Sequence, residues 1–212
     1  MILPPTIPIF PLPNVVLFPN VFLPLHIFEA RYRTMIKDAL ASDRIIGMAL
    51  LQPGYEANYE GRPRVYPVGC AGVITHSEPL PDGRFNIVLR GLEKFRLVGE
   101  DDSRPYRLAH IEAVPEVTSE SECAVIRQHR VRLEALLAAA AEHRRTETRL
   151  PSTVPDQDLV NALAQYAAFE PIERQALLEC NGVLPRCLAL IELLEMKTMA
   201  LRGTSWAGGS VH

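Results

Sequence analysis

The sequence predicts an α+β chain, in which short strands interrupted by one helix give way to helices alone. Three observations carry that expectation. Up to Val117 the apolar residues come in short runs bounded by Gly, Pro, Asn and Asp, the spacing of a small barrel or sandwich. From Thr118 onward they recur at helical spacing instead. Between Phe28 and Leu40 a single helical pattern breaks into the strand-rich part.

Ile7 to Leu12 and Val21 to Ile27 are apolar, but Pro8, Pro11, Pro13, Pro19 and Pro24 withhold backbone donors at intervals. Central strands cannot lose donors so often, so these runs belong on edges, at bulges or at the seam of a barrel. Pro13-Asn14 and Pro19-Asn20 are turn dipeptides flanking Val15 to Phe18. Phe28, Tyr32, Met35, Ile36 and Leu40 then recur on one helical face, a helix of about three turns. Ile45 to Leu51 is apolar throughout and suits a strand buried on both faces. Residues 52–63 read as a loop, with Pro53-Gly54 as its turn and Tyr55 and Tyr59 as its aromatics. Val65 to His76 holds Gly69 and Gly72, positions for a bulge or a bend. Asp82-Gly83 is a hairpin signal before Phe85 to Leu89, Gly91 separates that strand from Phe95 to Val98, and Tyr106 to Val117 alternates again.

Ser119 and Glu122 have capping-box spacing, and Ile126, Leu133, Leu136, Leu137 and Ala140 follow on one face until the polar stretch 142–149 and Pro151. Asp156 caps a second helix carrying Leu159, Leu163 and Tyr166. Pro171 opens a third that stops at Asn181-Gly182, and Pro185 opens a fourth running to Gly203. Four helices with short links read as a bundle. The expected division is therefore a strand-rich part over 1–117, a helical bundle over 118–203 and a disordered tail over 204–212.

The chain has 212 residues, 48% of them hydrophobic, enough for a real core. Its net charge of −3 is evenly spread, with 12 basic and 13 acidic residues up to Glu116. That balance argues against a dominant nucleic-acid surface, which would show a basic excess on one module. No basic n-region precedes an unbroken apolar run, and no stretch reaches membrane-span length, so the expectation is a soluble, cytoplasmic protein. Cys70, Cys123, Cys180 and Cys187 fit reduced, structural thiols; their spacing is neither C-x-x-C nor half of a zinc finger.

The opening stretch IPIFPLPNVVLFPNVFLPLHIFEARYRTMI also resembles the start of the Lon protease N-terminal domain, in which a Pro-punctuated FPL, an apolar run, FP and PL-x-IFE-x-RY follow one another. Pro11-Leu12, Phe18-Pro19, Pro24-Leu25, Ile27-Phe28-Glu29 and Arg31-Tyr32 fit that pattern in register. VGCAGVITHSEPLPDGRFNIVLRGLEKFRL and ERQALLECNGVLPRCLALIELLEMK resemble later segments of the same domain, so the likeness runs from about residue 7 to about residue 200. It implies a PUA-like β-barrel followed by a helical bundle, serving polypeptide recognition. The motor and protease that accompany this domain have no counterpart motifs. Lys197-Thr198 lacks the glycines of G-x-x-x-x-G-K-[ST], and Lys37, Lys94 and Lys197 lie in no recognisable nucleophile setting. The expectation is a recognition domain alone, not an enzyme, with no cofactor and no metal.

The residues offer no competing chemistry. His26 sits in an apolar run, where a packed, hydrogen-bonded histidine is the ordinary finding, and His76 precedes a polar turn; neither has a second ligand at metal spacing. Asp101-Asp102 and Glu192/Glu195 read as solvated charge, and Glu29 as a favourable charge at a helix start. Two binding readings remain. In the first, Phe18, Phe22, Tyr55 and Tyr59 present a groove for an unfolded or partly folded polypeptide, or for a protease or chaperone partner. Phe18 and Phe22, taken each alone, suit a barrel core better, whereas Tyr55 and Tyr59 suit a surface. In the second, RNA meets Arg84, Arg90, Lys94 and Arg96 on neighbouring strands, helped by His129, Arg130, Arg132 and the run 143–145. An adaptor for one folded protein is the third and plainest possibility.

Overall fold

In the computed structural model, which describes residues 2–59, 61–144 and 154–206, strands and helices follow the expected order. The strands are β1 (Thr6–Leu12), β2 (Phe22–Ile27), β3 (Ile45–Leu50), β4 (Val68–Pro79), β5 (Phe85–Asp101) and β6 (Arg107–Val114), with helix α1 (Ala30–Leu40) between β2 and β3. Hydrogen-bonded neighbours run β2-β5-β4-β3-β1-β6, and β6 pairs with β5 as well. Five strands thus close a ring, and β2 is left with a single partner, β5.

The prolines of β1 are tolerated because its ladders are staggered. Thr6 to Ile9 pairs antiparallel with β6, and Ile9 to Leu12 pairs parallel with β3. Pro8 and Pro11 therefore each sit where β1 is paired on one side only, so a missing donor leaves at most one ladder weakened. Leu3, Ile7, Ile9, Ile45, Ala71, Phe95, Ala109 and Ile111 fill one core cluster inside the ring. α1 buries Tyr32, Met35, Ile36 and Ala39, the face its spacing anticipates, whereas Phe28 precedes the helix and is exposed.

Two expected strands prove to be one. β5 runs through Gly91 without a break, pairing with β2 over Phe85 to Arg90 and with β6 over Lys94 to Asp101. β4 pairs with both halves, across a register shift at Ala71/Gly72. Gly91 bends the strand rather than ending it. Its amide donates to Val21 (2.9 Å) and its carbonyl accepts from Asn20 (2.9 Å), and a Cβ there would collide with the Phe18 carbonyl.

Four helices follow: α2 (Glu120–Arg144), α3 (Asp156–Tyr166), α4 (Pro171–Glu179) and α5 (Val183–Trp206). By its contacts the chain forms two units, one reaching to Glu116 and including Asn161–Glu179, the other comprising Val117–Val160 and the chain from Cys180. In the first, side chains from α3 and α4 satisfy backbone groups of the strand region. Asn161 donates to the Pro19 carbonyl (3.0 Å) and Gln175 to that of Val68 (2.9 Å).

In the second unit α2 and α5 pack together, with Ile126, Leu133, Cys187, Leu190, Ile191 and Leu194 buried. Ser119 and Glu122 form the anticipated box: the Ser119 amide donates to the Glu122 carboxylate (2.8 Å) and the Glu122 amide to the Ser119 hydroxyl (3.3 Å). Arg130 bridges Glu134 (2.8 Å) and Asp156 (2.7 Å). The stretch 145–149 with Pro151, read as a helix end, and 207–212 of the expected tail lie outside the described residues, and α5 itself reaches Trp206.

Candidate functional site

β2 has one hydrogen-bonded partner, β5, and so keeps an unpaired outer edge. Its alternation is set by which backbone groups β5 uses. The Val21 carbonyl accepts from Gly91, whereas the Phe22 carbonyl points the other way and accepts from Gln165 Nε2 (3.1 Å) and the Tyr166 hydroxyl. With period two, Pro24 and His26 also turn their backbone groups away from β5. Pro24 has no amide hydrogen to offer there. The outer edge therefore presents the His26 amide and the Pro24 and His26 carbonyls, while α3 covers the Phe22 end.

Exposed aromatic side chains from β2, the residue after it and α3 border that edge. Phe22 is 51% exposed, Phe28 62% and Tyr166 61%. Beside them a shallow hollow of about 280 Å³ is lined by Pro24, His26 and His76 with Asn86 and Val88 on β5. His26 is held in place: its Nδ1 donates to Asn86 Oδ1 (2.8 Å), its ring stacks on Phe28 at 6.4 Å, and Arg84 donates to Nε2 at 3.4 Å. These bonds set the Nδ1–H tautomer.

The structure separates the four aromatic candidates. Phe18 is 0% exposed, its amide donating to Gln165 Oε1 (3.0 Å), so it supports the edge from inside. Phe22 is on the edge itself. Tyr55 and Tyr59 are half-buried and meet edge to face at 6.2 Å. The Tyr59 hydroxyl donates to Glu29 (3.4 Å), the residue after Phe28, and Arg31 binds the same carboxylate at 3.0 Å. Burial and the neighbouring Glu29 carboxylate raise the Tyr59 pKa. Glu29 thus spends its charge on Arg31 and Tyr59, with no side-chain cap to α1.

The cationic candidates differ in what holds them. Lys94 is 2% exposed and bonded to Glu116 (2.9 Å), and Arg84 is paired with Asp82 (2.5 Å), whose carboxyl the guanidinium and the Arg84 amide hold below its usual range. Arg90 and Arg96 are exposed on β5. On α2, Arg130 and Arg132 are bound to carboxylates, and Arg145 lies outside the described residues. Among the described residues no three His, Cys, Asp or Glu side chains gather as a metal site, and no helix is long and apolar enough to cross a membrane.

Tyr166 and Phe28 are edge residues that sequence spacing places on buried helical stripes. A Tyr at the last position of a helix was the available signal for the first, since its hydroxyl needs a partner. For the second it was position, because Phe28 precedes Glu29, where the helix has not yet begun.

The family model described as the ATP-dependent protease La (LON) substrate-binding domain matches residues 6–196. Lon protease 2 of Myxococcus xanthus is 29% identical over 94% of this chain and 24% of its own length. Lon protease 2 of Syntrophobacter fumaroxidans is 30% identical over 84% of this chain and 22% of its own. The chain thus spans about a quarter of the length of the curated relatives it matches. Among solved structures, the N-terminal domain of Mycobacterium avium complex Lon protease has a TM-score of 0.65 at 18% identity, covering 90% of this chain and 98% of that one. The Lon N-terminal domain protein from Xanthomonas campestris gives 0.56 at 20% identity, covering 88% and 97%.

Proposed function

Because the chain belongs to the Lon substrate-binding domain family, we propose that it is a non-catalytic recognition module that holds unfolded or partly folded polypeptide against the outer edge of β2. The observation that carries this reading is the strand with one partner, bordered by exposed Phe22, Phe28 and Tyr166. An extended client segment adds alongside β2 through the Pro24 and His26 backbone groups, and its apolar side chains rest on the aromatics and in the Val88 hollow. Pro24 keeps the added ladder short. Binding is accordingly weak and tolerant of sequence, as suits a client defined by being unfolded, and it gains when several copies act together. Tyr55 and Tyr59 extend the surface beyond Phe28, and Phe18 serves it from the core. The client passes to a protease or chaperone partner in the cytoplasm, where the four thiols stay reduced.

The test is a fluorescence-anisotropy titration with a labelled unfolded polypeptide and, in parallel, a labelled single-stranded RNA, each at low and moderate salt. The expected result is saturable polypeptide binding that survives salt and weakens roughly tenfold in Phe22→Ala or Phe28→Ala, the loss of one apolar anchor. Tyr55→Ala and Tyr59→Ala weaken it less. RNA binding that collapses with salt would replace this reading with a nucleic-acid one through Arg84, Arg90 and Arg96. Silence with both probes would point to a dedicated folded partner.

A further inference from the structure

Away from β2, the start of α1, residue 62 and the start of β6 enclose a second hollow of about 190 Å³. Among the described residues its walls include Arg31, Arg62 and Arg107 with Tyr32, Pro105 and Tyr106, and no carboxylate. The acids that balance these arginines stand behind them. Glu29 holds Arg31 at 3.0 Å, Glu100 holds Arg107 through Nε (2.7 Å) and Nη2 (2.5 Å), and Asp102 pairs with Arg62. Arg107 is further anchored on the Pro63 carbonyl (2.8 Å), so its fork is fixed in direction.

Tyr32 makes this a site rather than a gap between ion pairs. It is 3% exposed, packed on Phe10 and on Arg31, yet its hydroxyl has no hydrogen-bond partner among the described residues. Nor is that oxygen sealed from solvent, so the open part of Tyr32 faces the hollow. The Tyr106 hydroxyl, in contrast, is already committed to Asp38 (2.7 Å). A nearly buried phenol is normally bonded, and this hydroxyl is open to an acceptor in the hollow.

We propose that this hollow binds a compact monoanionic carboxylate, its head on the Tyr32 hydroxyl and the Arg62 and Arg107 forks and its carbon body against Tyr106 and Pro105. Guanidinium forks match a planar carboxylate in geometry. Three arginines backed by three carboxylates leave little net charge, which favours a monoanion over a phosphate dianion. Size sets the rest, for a hollow of roughly 150 Å³ takes a benzene ring. A benzoate-sized acid fills this one. The carboxylate can be a free small acid or the C-terminus of a polypeptide, and the site shares no lining residue with the β2 edge, so either proposal can fail alone.

The probes are benzoate, its neutral counterpart benzamide, and a short aromatic-ended peptide with a free or an amidated C-terminus, followed by calorimetry and by amide shifts on the full chain. Benzoate is expected to saturate and to shift the amides of Gly61, Arg62 and Arg107, with benzamide at least about tenfold weaker. Tyr32→Phe, which keeps the ring, should weaken benzoate about tenfold without changing Tm. Should that variant fail to fold, Arg62→Gln, at a more exposed side chain, gives the same readout. Benzoate without the free-acid peptide assigns a small-molecule ligand, and both together, with loss on amidation, assign a chain terminus. Equal binding of benzoate and benzamide, shifts confined elsewhere, or no saturation overturns the proposal.

Discussion

The Nζ of Lys94 lies 2.9 Å from Glu116 Oε1, with both side chains inside the protein, and donates as well to the Leu178 carbonyl at 3.2 Å. A strand, the chain beyond β6 and the last turn of α4 thus converge on one ammonium. Lys94→Met removes the cation and leaves a buried carboxylate, a loss of about 3–5 kcal/mol. Lys94→Met/Glu116→Leu should recover most of it. Urea unfolding of the two variants decides this, and equal losses would mean that packing rather than charge sets the cost.

Gln165 joins both sides of the turn that precedes β2, accepting from the Phe18 amide and donating to the Phe22 carbonyl. Gln165→Leu removes both of these bonds at a buried turn, and the expected cost is about 1–3 kcal/mol. Amide exchange at Phe18 should accelerate with it. Tyr166→Phe, at an exposed ring, should cost much less; an unchanged unfolding midpoint for Gln165→Leu would show that this clamp is dispensable.

Tyr32 and Tyr106 both have their phenol pKa raised from 10.0 to about 12, by burial above all and for Tyr106 also by the Asp38 carboxylate. The folded protein holds these protons more tightly than the unfolded chain does. The stability they contribute is complete below pH 10 and lost as pH climbs toward 12. An alkaline titration followed in the near-ultraviolet and by circular dichroism should show these two phenols ionising together with unfolding. Ionisation of Tyr32 in a fully folded protein would contradict this.

Burial, with Asp156 nearby, raises the Cys187 thiol from 9.0 to about 11. Its contribution to stability is likewise present below pH 9 and lost toward pH 11. Alkylation of the native protein at mildly alkaline pH should reach the half-buried Cys123 and Cys180 first and the buried Cys70 and Cys187 last, with urea removing the order. Mass spectrometry of the time course reads it directly.

Local chemistry was legible wherever the sequence carries its own partner. Ser119 and Glu122 exchange the bonds that their spacing anticipates, and Gly182, after the third helix, has the φ of 114° that residues with a Cβ rarely adopt. The strand order was not legible, nor was which side chains a remote segment covers. Gly91 looks like a terminator, but a bend and a break call for the same residue, and only the second ladder to β4 distinguishes them. Lys94 sits among arginines in the sequence, yet its environment is set by Leu178, 84 positions later. For the edge, Phe22 was readable as an aromatic in a Pro-punctuated apolar run. Tyr166 was not, because its role depends on a carbonyl 144 residues earlier.

The inclusion of residues 161–179 with the strands has a consequence for how the protein comes to be made. All six strands have been synthesised by Val114, but the Gln165 bond to the Phe18 amide, the Gln175 bond to the Val68 carbonyl and the Lys94 bond to the Leu178 carbonyl are added only when α3 and α4 emerge. A nascent chain therefore passes through a stage with its sheet written and these bonds still unmade. Contacts this distant in sequence close slowly. Before β6 is made, the first strand has an open edge along Thr6 to Ile9, where Pro8 acts as a guard, since an edge short of donors is a poor template for a neighbouring chain.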